Sequence, residues 1–593
     1  MRLPWLSSVV CCVLVACPPP PAVSSAEDGG ATADDAGTSG LSSDAGGAPL
    51  PDGGISPHAP LPPEAALRSG HFATARVCAD CHDAVPTATA NHDEQGRPVG
   101  LYEQWSASTM GNAARDPLFR AAVAKELARA PAAADAIASV CLTCHAAAGR
   151  AALLDGGQAP TFALLAATTP EGTLARDGVT CTVCHQILPD NLGQDSSLSG
   201  GYQLGATKQL FGPYAAPFAM PMVNRTGFTP TEGAHVQSSA LCGTCHALVT
   251  EALTPDGVGT GHRMGEQLTW LEWRRSAYST EGGATPASCQ SCHLPDTRDD
   301  GAPLQTRLAH RPDGSDFPQV TARGPFSRHT FVGANTVLPR LLRDGRALLN
   351  PPASDASLLA AEGRAKELLR RATAAVSVAD ARLEQGRARF SVRVENRTGH
   401  KFPTGYPSRR AFLHVRALDA SGALLAEVGA SDLTGRLLGA DGRPLAEELP
   451  GGGAYPHRRE VSSSAEPAVW ESVMSDGHGQ PSYELLGAEG FLKDDRLLPR
   501  GHADMNVGPT STSPLGVEGD TDFIAGGDTV AFSLAVSGTP ARVEVELRYQ
   551  TMSPRYLEEL LAHPTPEAAA LRSMVREGTF VAELVATGSV DFP

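Results

Sequence analysis

The sequence predicts an α+β chain in two parts, a mostly α-helical first part sparse in regular structure and an all-β, sandwich-like C-terminal domain. Three observations predict it. Ten of the 13 cysteines form five Cys-x-x-Cys-His groups confined to the stretch from Cys78 to His293. From Asp355 to Val376 the chain is rich in Ala, Leu, Arg and Glu, with apolar residues at helical spacing. Beyond that stretch the apolar period falls to two, as in strands.

At 593 residues the chain exceeds what one core supports. The segments expected are 1–17, a signal; 18–66, a linker; 67–350, the Cys-rich domain; 351–377, a connecting helix; and 378–593, the sandwich-like domain. Arg2 and the apolar run Leu3 to Val15 fit the core of a signal peptide and are too short to span a bilayer. Leu14-Val15-Ala16-Cys17 resembles the lipobox of bacterial lipoproteins, which implies cleavage before Cys17 and lipidation of its thiol. The alternative is ordinary cleavage near Ala22 or Ala26. With the lipobox, the chain is expected to be exported and membrane-anchored, facing the periplasm or the cell surface. From Pro18 to about Pro63 the composition is Pro, Gly, Ala, Ser and Asp, which buries too little to offset ordering entropy and reads as a flexible stalk.

The five groups are Cys78-Ala-Asp-Cys81-His82, Cys141-Leu-Thr-Cys144-His145, Cys181-Thr-Val-Cys184-His185, Cys242-Gly-Thr-Cys245-His246 and Cys289-Gln-Ser-Cys292-His293. Two thiols one helical turn apart reach the two vinyl groups of a haem, and the adjoining histidine turns its imidazole onto the iron. Each group therefore predicts a covalent haem c with its proximal ligand, five haem c groups in all. A lone Cys-x-x-Cys would leave zinc or thiol redox chemistry open. Zinc, however, does not require histidine after every pair. The intervals between groups are irregular, so they are not copies of one repeat. The haems are expected to supply much of the core of residues 67–350, among short helices such as Ala113 to Arg129 and Gly261 to Ser276.

Each iron has a second axial position, and what fills it separates a carrier from a catalyst. Thirteen histidines outside the groups compete for five places. His71 and His235 each stand seven residues before a Cys-x-x-Cys-His group, and His329 lies in Phe326-Ser-Arg-His-Thr-Phe-Val-Gly-Ala-Asn335 among apolar residues. Trp105-x-x-Ser108-x-Met110 and Trp273-x-x-Ser276-x-Tyr278 resemble a Trp-x-x-Ser-x-His stretch that supplies a distal histidine in several multihaem cytochromes, but depart from it at the ligand position. Met110 remains a candidate thioether ligand or a core methionine, and Tyr278 reads as packing.

In the last part Phe390, Val392 and Val394 alternate with polar residues, as do Val530, Phe532, Leu534 and Val536, and Val543, Val545, Leu547 and Tyr549. Between two of these strands lies the turn-rich Asn396-Arg-Thr-Gly-His-Lys-Phe-Pro-Thr-Gly-Tyr-Pro-Ser-Arg-Arg410. With Tyr483-Glu-Leu-Leu and Phe491-Leu-Lys-Asp-Asp-Arg-Leu-Leu-Pro499, it resembles the C-terminal region of a family of bacterial multihaem c-type cytochromes with a β-rich C-terminal domain. Ala113-Ala-Arg-Asp-Pro117 and the Arg328 to Asn335 stretch resemble the same family, which implies redox function and covalent haem. His400 is a candidate distal ligand or a histidine bonded within its turn, and His457 is a weaker candidate of the same kind.

The function expected is electron transfer between periplasmic or cell-surface partners. The alternative is a multihaem oxidoreductase acting on a small nitrogen or sulfur compound, of nitrite or hydroxylamine type, at one open haem. The lysine-ligated Cys-x-x-Cys-Lys site of many pentahaem nitrite reductases is absent from this sequence. A net charge of -17, from 65 acidic and 48 basic residues, excludes nucleic acid as a partner and suits redox proteins with basic docking surfaces. Neither a phosphate-binding Gly-x-x-x-x-Gly-Lys-Ser/Thr loop nor a Gly-x-Ser-x-Gly elbow is present.

Overall fold

The structure is a computed structural model that describes residues 56–298 and 300–593. The expected signal with Cys17, and most of the expected linker, lie outside the described residues. The end of that linker is not a free stalk. Leu61 is buried, its N–H donates to the Leu348 carbonyl at 2.8 Å, and its own carbonyl accepts from Asn350 at 2.6 Å. One apolar side chain with both backbone groups paired is enough to dock a segment of otherwise polar composition.

The haem-motif part is built from short helices whose starts are written locally. Asp116 caps Pro117–Arg129, accepting from the Leu118 N–H at 2.9 Å with proline in the first turn. Ser238 and Ser288 cap the helices Ser239–Gly243 and Cys289–His293. Asp177 accepts from the Ala75 N–H at 2.7 Å, opening the helix Ala75–His82 from a distance in sequence. Apolar packing here falls into small separate clusters around one continuous cavity of about 1460 Å³.

The expected helix from Gly261 to Ser276 is largely corrected. Gly259–Gln267 is a strand paired antiparallel with Leu248–Leu253, and only Thr269–Arg274 is helical. Gly259, Gly261 and Gly265 weaken a helix, while Met264 and Glu266 bury alternate positions of the strand.

The connecting helix Asp355–Leu368 is capped by Ser354 and continues as one wide turn, Leu369–Thr373. Val376, expected to end it, belongs instead to the strand Ala374–Glu384, opposite Val394. Glu362 joins this helix to Val337–Asp344 through Arg340 at 2.8 Å and Arg343 at 3.0 Å.

Two sheets form the C-terminal sandwich. The four-stranded sheet runs Glu460–Val461, Gly527–Ala535, Arg387–Asn396, Ala374–Glu384. In the seven-stranded sheet, Arg410–Leu418 and Arg542–Gln550 are central, flanked by Val469–Ser475 and Glu583–Asp591. Register places Phe390 opposite Phe532, their rings stacked at 5.0 Å, and the alternating apolar residues of both sheets form one core. The domain also carries two helices, Pro554–Leu561 and Pro566–Met574, each with a capping hydroxyl and a proline at its start. Tyr556, Leu557, Leu560 and Leu571 pack with Leu118 and Ala121 of Pro117–Arg129, joining the sandwich to the motif part.

Candidate haem site

The five motif histidines sit deep in the protein with their rings open to the cavity, and desolvation by the surrounding protein holds each imidazole below its usual pKa, down to about 4 for His145 and His246. Neutral imidazole is the form that binds a metal. Four of the five point Nδ1 at a backbone carbonyl: His82 at Leu308 (2.8 Å), His145 at Ala113 (3.2 Å), His185 at Phe211 (2.5 Å) and His293 at Val332 (2.6 Å). With Nδ1–H donating there, Nε2 is left unprotonated for iron. All five imidazoles line the cavity, and none of the ten motif cysteines is in a disulfide.

Two further histidines complete facing pairs. His329 stands across the cavity from His185 with ring centres 6.3 Å apart and planes 14° from parallel. His400 faces His293 at the same 6.3 Å, 10° from parallel. Two metal–nitrogen bonds of about 2 Å, with each ring centre roughly 1.1 Å behind its nitrogen, put facing imidazoles about 6 Å apart. The separation therefore fits one iron between each pair. His329 and His400 also spend Nδ1 on carbonyls, of Ser327 at 3.0 Å and Lys401 at 2.8 Å.

The other sequence-predicted ligands are placed differently. Met110 lines the cavity. His71 and His235 stand beside it rather than on its wall. The buried Nδ1 of His71 has no hydrogen-bond partner, and its carbonyl accepts from Gln186 at 2.9 Å. His235 donates from Nε2 to the Ile187 carbonyl at 2.9 Å and meets the Phe211 ring edge-on. His457 is remote from the cavity, between the carboxylates of Asp495 and Asp520, because an imidazole flanked by two buried acids is held by them. The two Trp-x-x-Ser stretches share one local form: Ser108 and Ser276 each donate to the carbonyl of the tryptophan three residues earlier. Tyr278 donates to the Arg397 carbonyl at 3.0 Å, as a packing residue does.

The motif sulfurs form a connected set. Cys78 lies against Cys181, Cys144 against Cys245, and Cys242 against Cys289, while Cys184 is within electrostatic reach of Cys245. The fourth group, Cys242 to His246, thus has sulfurs near those of the second, third and fifth.

What the sequence reading missed is the clamp that holds His400. Lys401 is fully buried, and its ammonium meets Asp494 at 2.6 Å. Asp494 also takes a two-pronged contact from Arg496 at 2.7 Å, and Arg496 pairs with Glu272 at 3.2 Å. Glu272 belongs to Thr269–Arg274 in the motif part and accepts from the Lys401 N–H at 3.1 Å and from Thr404 at 2.5 Å. The signal lay in the charged run Lys493-Asp-Asp-Arg496, in an otherwise apolar setting. Glu266 was also missed: it lines the cavity, and burial beside Glu126 pushes its carboxyl up to about 8.

Residues 77–186 match the family described as cytochrome c554 and c-prime. Among solved structures, a penta-heme cytochrome c552 from Thermochromatium tepidum is similar at 17% identity and a TM-score of 0.48, covering 88% of this chain and 100% of that one. No curated protein matches the chain.

Proposed function

We propose that this chain, a multihaem c-type cytochrome with covalently bound haem, carries five haems and passes single electrons between exported partners. The observation that carries the reading is the pair of facing imidazoles, His185 with His329 and His293 with His400, each spaced for one six-coordinate iron. Bound haem supplies an iron that alternates between ferric and ferrous states. The chain's own residues do the rest. Its thiols fix position, its backbone carbonyls hold each imidazole in the iron-binding tautomer, and buried surroundings keep water from the axial sites.

The sulfur contacts support a branched order of attachment, first to third to fourth, with the second and fifth joined at the fourth. Met110, His71 and His235 are the ligands we assign to the three remaining irons: Met110 faces the cavity, the buried Nδ1 of His71 has no other partner, and His235, whose Nε2 meets the Ile187 carbonyl, would bind through Nδ1. The acidic surface fits basic redox partners, and the lipobox at Cys17 supports a membrane tether. Intact-mass spectrometry of the exported protein, with a pyridine haemochrome count, tests the stoichiometry. Five haem increments per chain are expected; four or fewer would contradict the assignment of every Cys-x-x-Cys-His group to haem.

A further inference from the structure

We infer that His457, Asp520 and Asp528 form a binding site for one divalent transition-metal ion of the Zn²⁺ class, inside the C-terminal domain and separate from the haem cavity. One ligand atom from each residue lies within 4.8 Å of the others. Each residue is also held by a second partner that leaves one atom facing the common point. His457 directs Nδ1 to Asp495 at 3.0 Å, leaving Nε2, which is 3.0 Å from Asp520 Oδ2. Asp520 accepts the Asp522 and Phe523 N–H groups on Oδ1, leaving Oδ2. Asp528 accepts the Trp470 indole N–H on Oδ2 at 2.9 Å, leaving Oδ1.

That last oxygen distinguishes the cluster from an ordinary ion pair. Asp528 is fully buried, and although the Thr529 N–H is close enough to lower its pKa, its Oδ1 has no partner of hydrogen-bond geometry. An orphaned buried carboxylate oxygen costs free energy unless a cation meets it. Charge points the same way. The carboxylates of Asp495, Asp520 and Asp528 outnumber the cations that face them, Lys493 and a protonated His457, and Lys493 also serves Glu471 at 3.8 Å. A divalent ion on neutral His457 offsets that excess of negative charge, and binding releases the Nε2 proton. A carboxylate on the far nitrogen of a ligating histidine is a recurrent outer-shell arrangement at zinc. One imidazole and two carboxylates suit Zn²⁺, with a fourth position for water, better than Ca²⁺, which takes six to eight oxygens.

The site joins three separate pieces: the segment before Glu460–Val461, the loop carrying Asp520, and the strand Gly527–Ala535. Asp495 adjoins Asp494 of the His400 clamp, so the ion braces the chain end that docks onto the motif part. The test uses the full-length haem-loaded protein, stripped with a chelator, equilibrated with micromolar Zn²⁺, desalted and measured for zinc per chain by elemental mass spectrometry. One zinc per chain is expected, with at least a tenfold loss of affinity in Asp528→Asn and in His457→Gln and an unchanged haem absorption spectrum. Should Asp528→Asn fail to load haem, His457→Gln decides alone. Zinc at background level in the parent protein, retention of full zinc by the variants, or binding of Ca²⁺ in preference to Zn²⁺ would each overturn the inference.

Discussion

His400 reaches His293 because its turn is closed on both sides. Asn396 donates to the His400 carbonyl at 2.8 Å and to the Leu497 carbonyl at 2.9 Å. Gly399 lies against Trp273, where a β-carbon would stand 3.1 Å from the indole. Replacing His400 or His329 by alanine is therefore expected to convert one haem per chain from low-spin to high-spin while all covalent attachments persist, read by absorption and by intact mass. Unchanged spin state in either variant would remove that histidine from the ligand set. Beneath the turn, Asp494→Ala leaves Lys401 without its anion and Arg496 with Glu272 alone. Breaking a buried pair of this kind costs about 3–5 kcal/mol, measurable by denaturant unfolding. The motifs were legible because covalent attachment confines two cysteines and a histidine to one helical turn. The partner of each motif histidine was not, since no local spacing ties His329 to His185; apolar and turn residues around it narrowed the choice without pairing it.

Among the elements, the strands of the sandwich were the most legible, because Phe390, Val392 and Val394 bury one face against Phe532 and Val530 with a period no helix shares. Gly259–Gln267 is a strand although its neighbour Thr269–Arg274 carries helical spacing, because Gly259, Gly261 and Gly265 disfavour continuing that helix backwards. The helices Pro554–Leu561 and Pro566–Met574 depart from the all-β expectation for residues 378–593, and their Ser-Pro and Thr-Pro starts are the local signal that marks them. The docking of Lys493-Asp-Asp-Arg496 against the Lys401 turn sets a pH limit on the assembly. Burial alone would raise the Asp494 carboxyl, but Arg496 and Lys401 outweigh it and hold the group well below the usual carboxylate range. A depressed acid stabilises fully above its unfolded value of about 4 and loses that contribution as pH falls below it. Acid titration is thus expected to leave the His400 haem low-spin at about pH 4 and well below it, releasing it only as pH falls through the depressed value of Asp494, with Asp494→Asn releasing it at neutral pH. A His400 haem that stays low-spin through the same titration in Asp494→Asn would show that the clamp does not position it.

At the scale of the whole molecule, haem attachment and the sandwich are interlocked rather than strung in series. The C-terminal domain contributes His400 to the cavity, its helices cover Pro117–Arg129, and Leu61 pins the start of the described chain beside Leu348. In the branched order proposed from the sulfur contacts, the fourth group is the junction. Replacing both Cys242 and Cys245 with alanine is expected to separate the second and fifth haems from the first and third, so that rapid-mixing reduction turns from one concerted phase into distinct phases. Persistence of a single phase at the parent rate would contradict the branched order.

The most direct test of the carrier reading is a low-temperature EPR spectrum of the ferric protein, scaled to total haem. We expect low-spin signals accounting for every iron, including two of the rhombic kind that nearly parallel imidazoles produce at His185 with His329 and at His293 with His400. A stoichiometric high-spin haem that shifts on adding nitrite or hydroxylamine would contradict it, and would make one of His82, His145 or His246 the proximal ligand of a catalytic site.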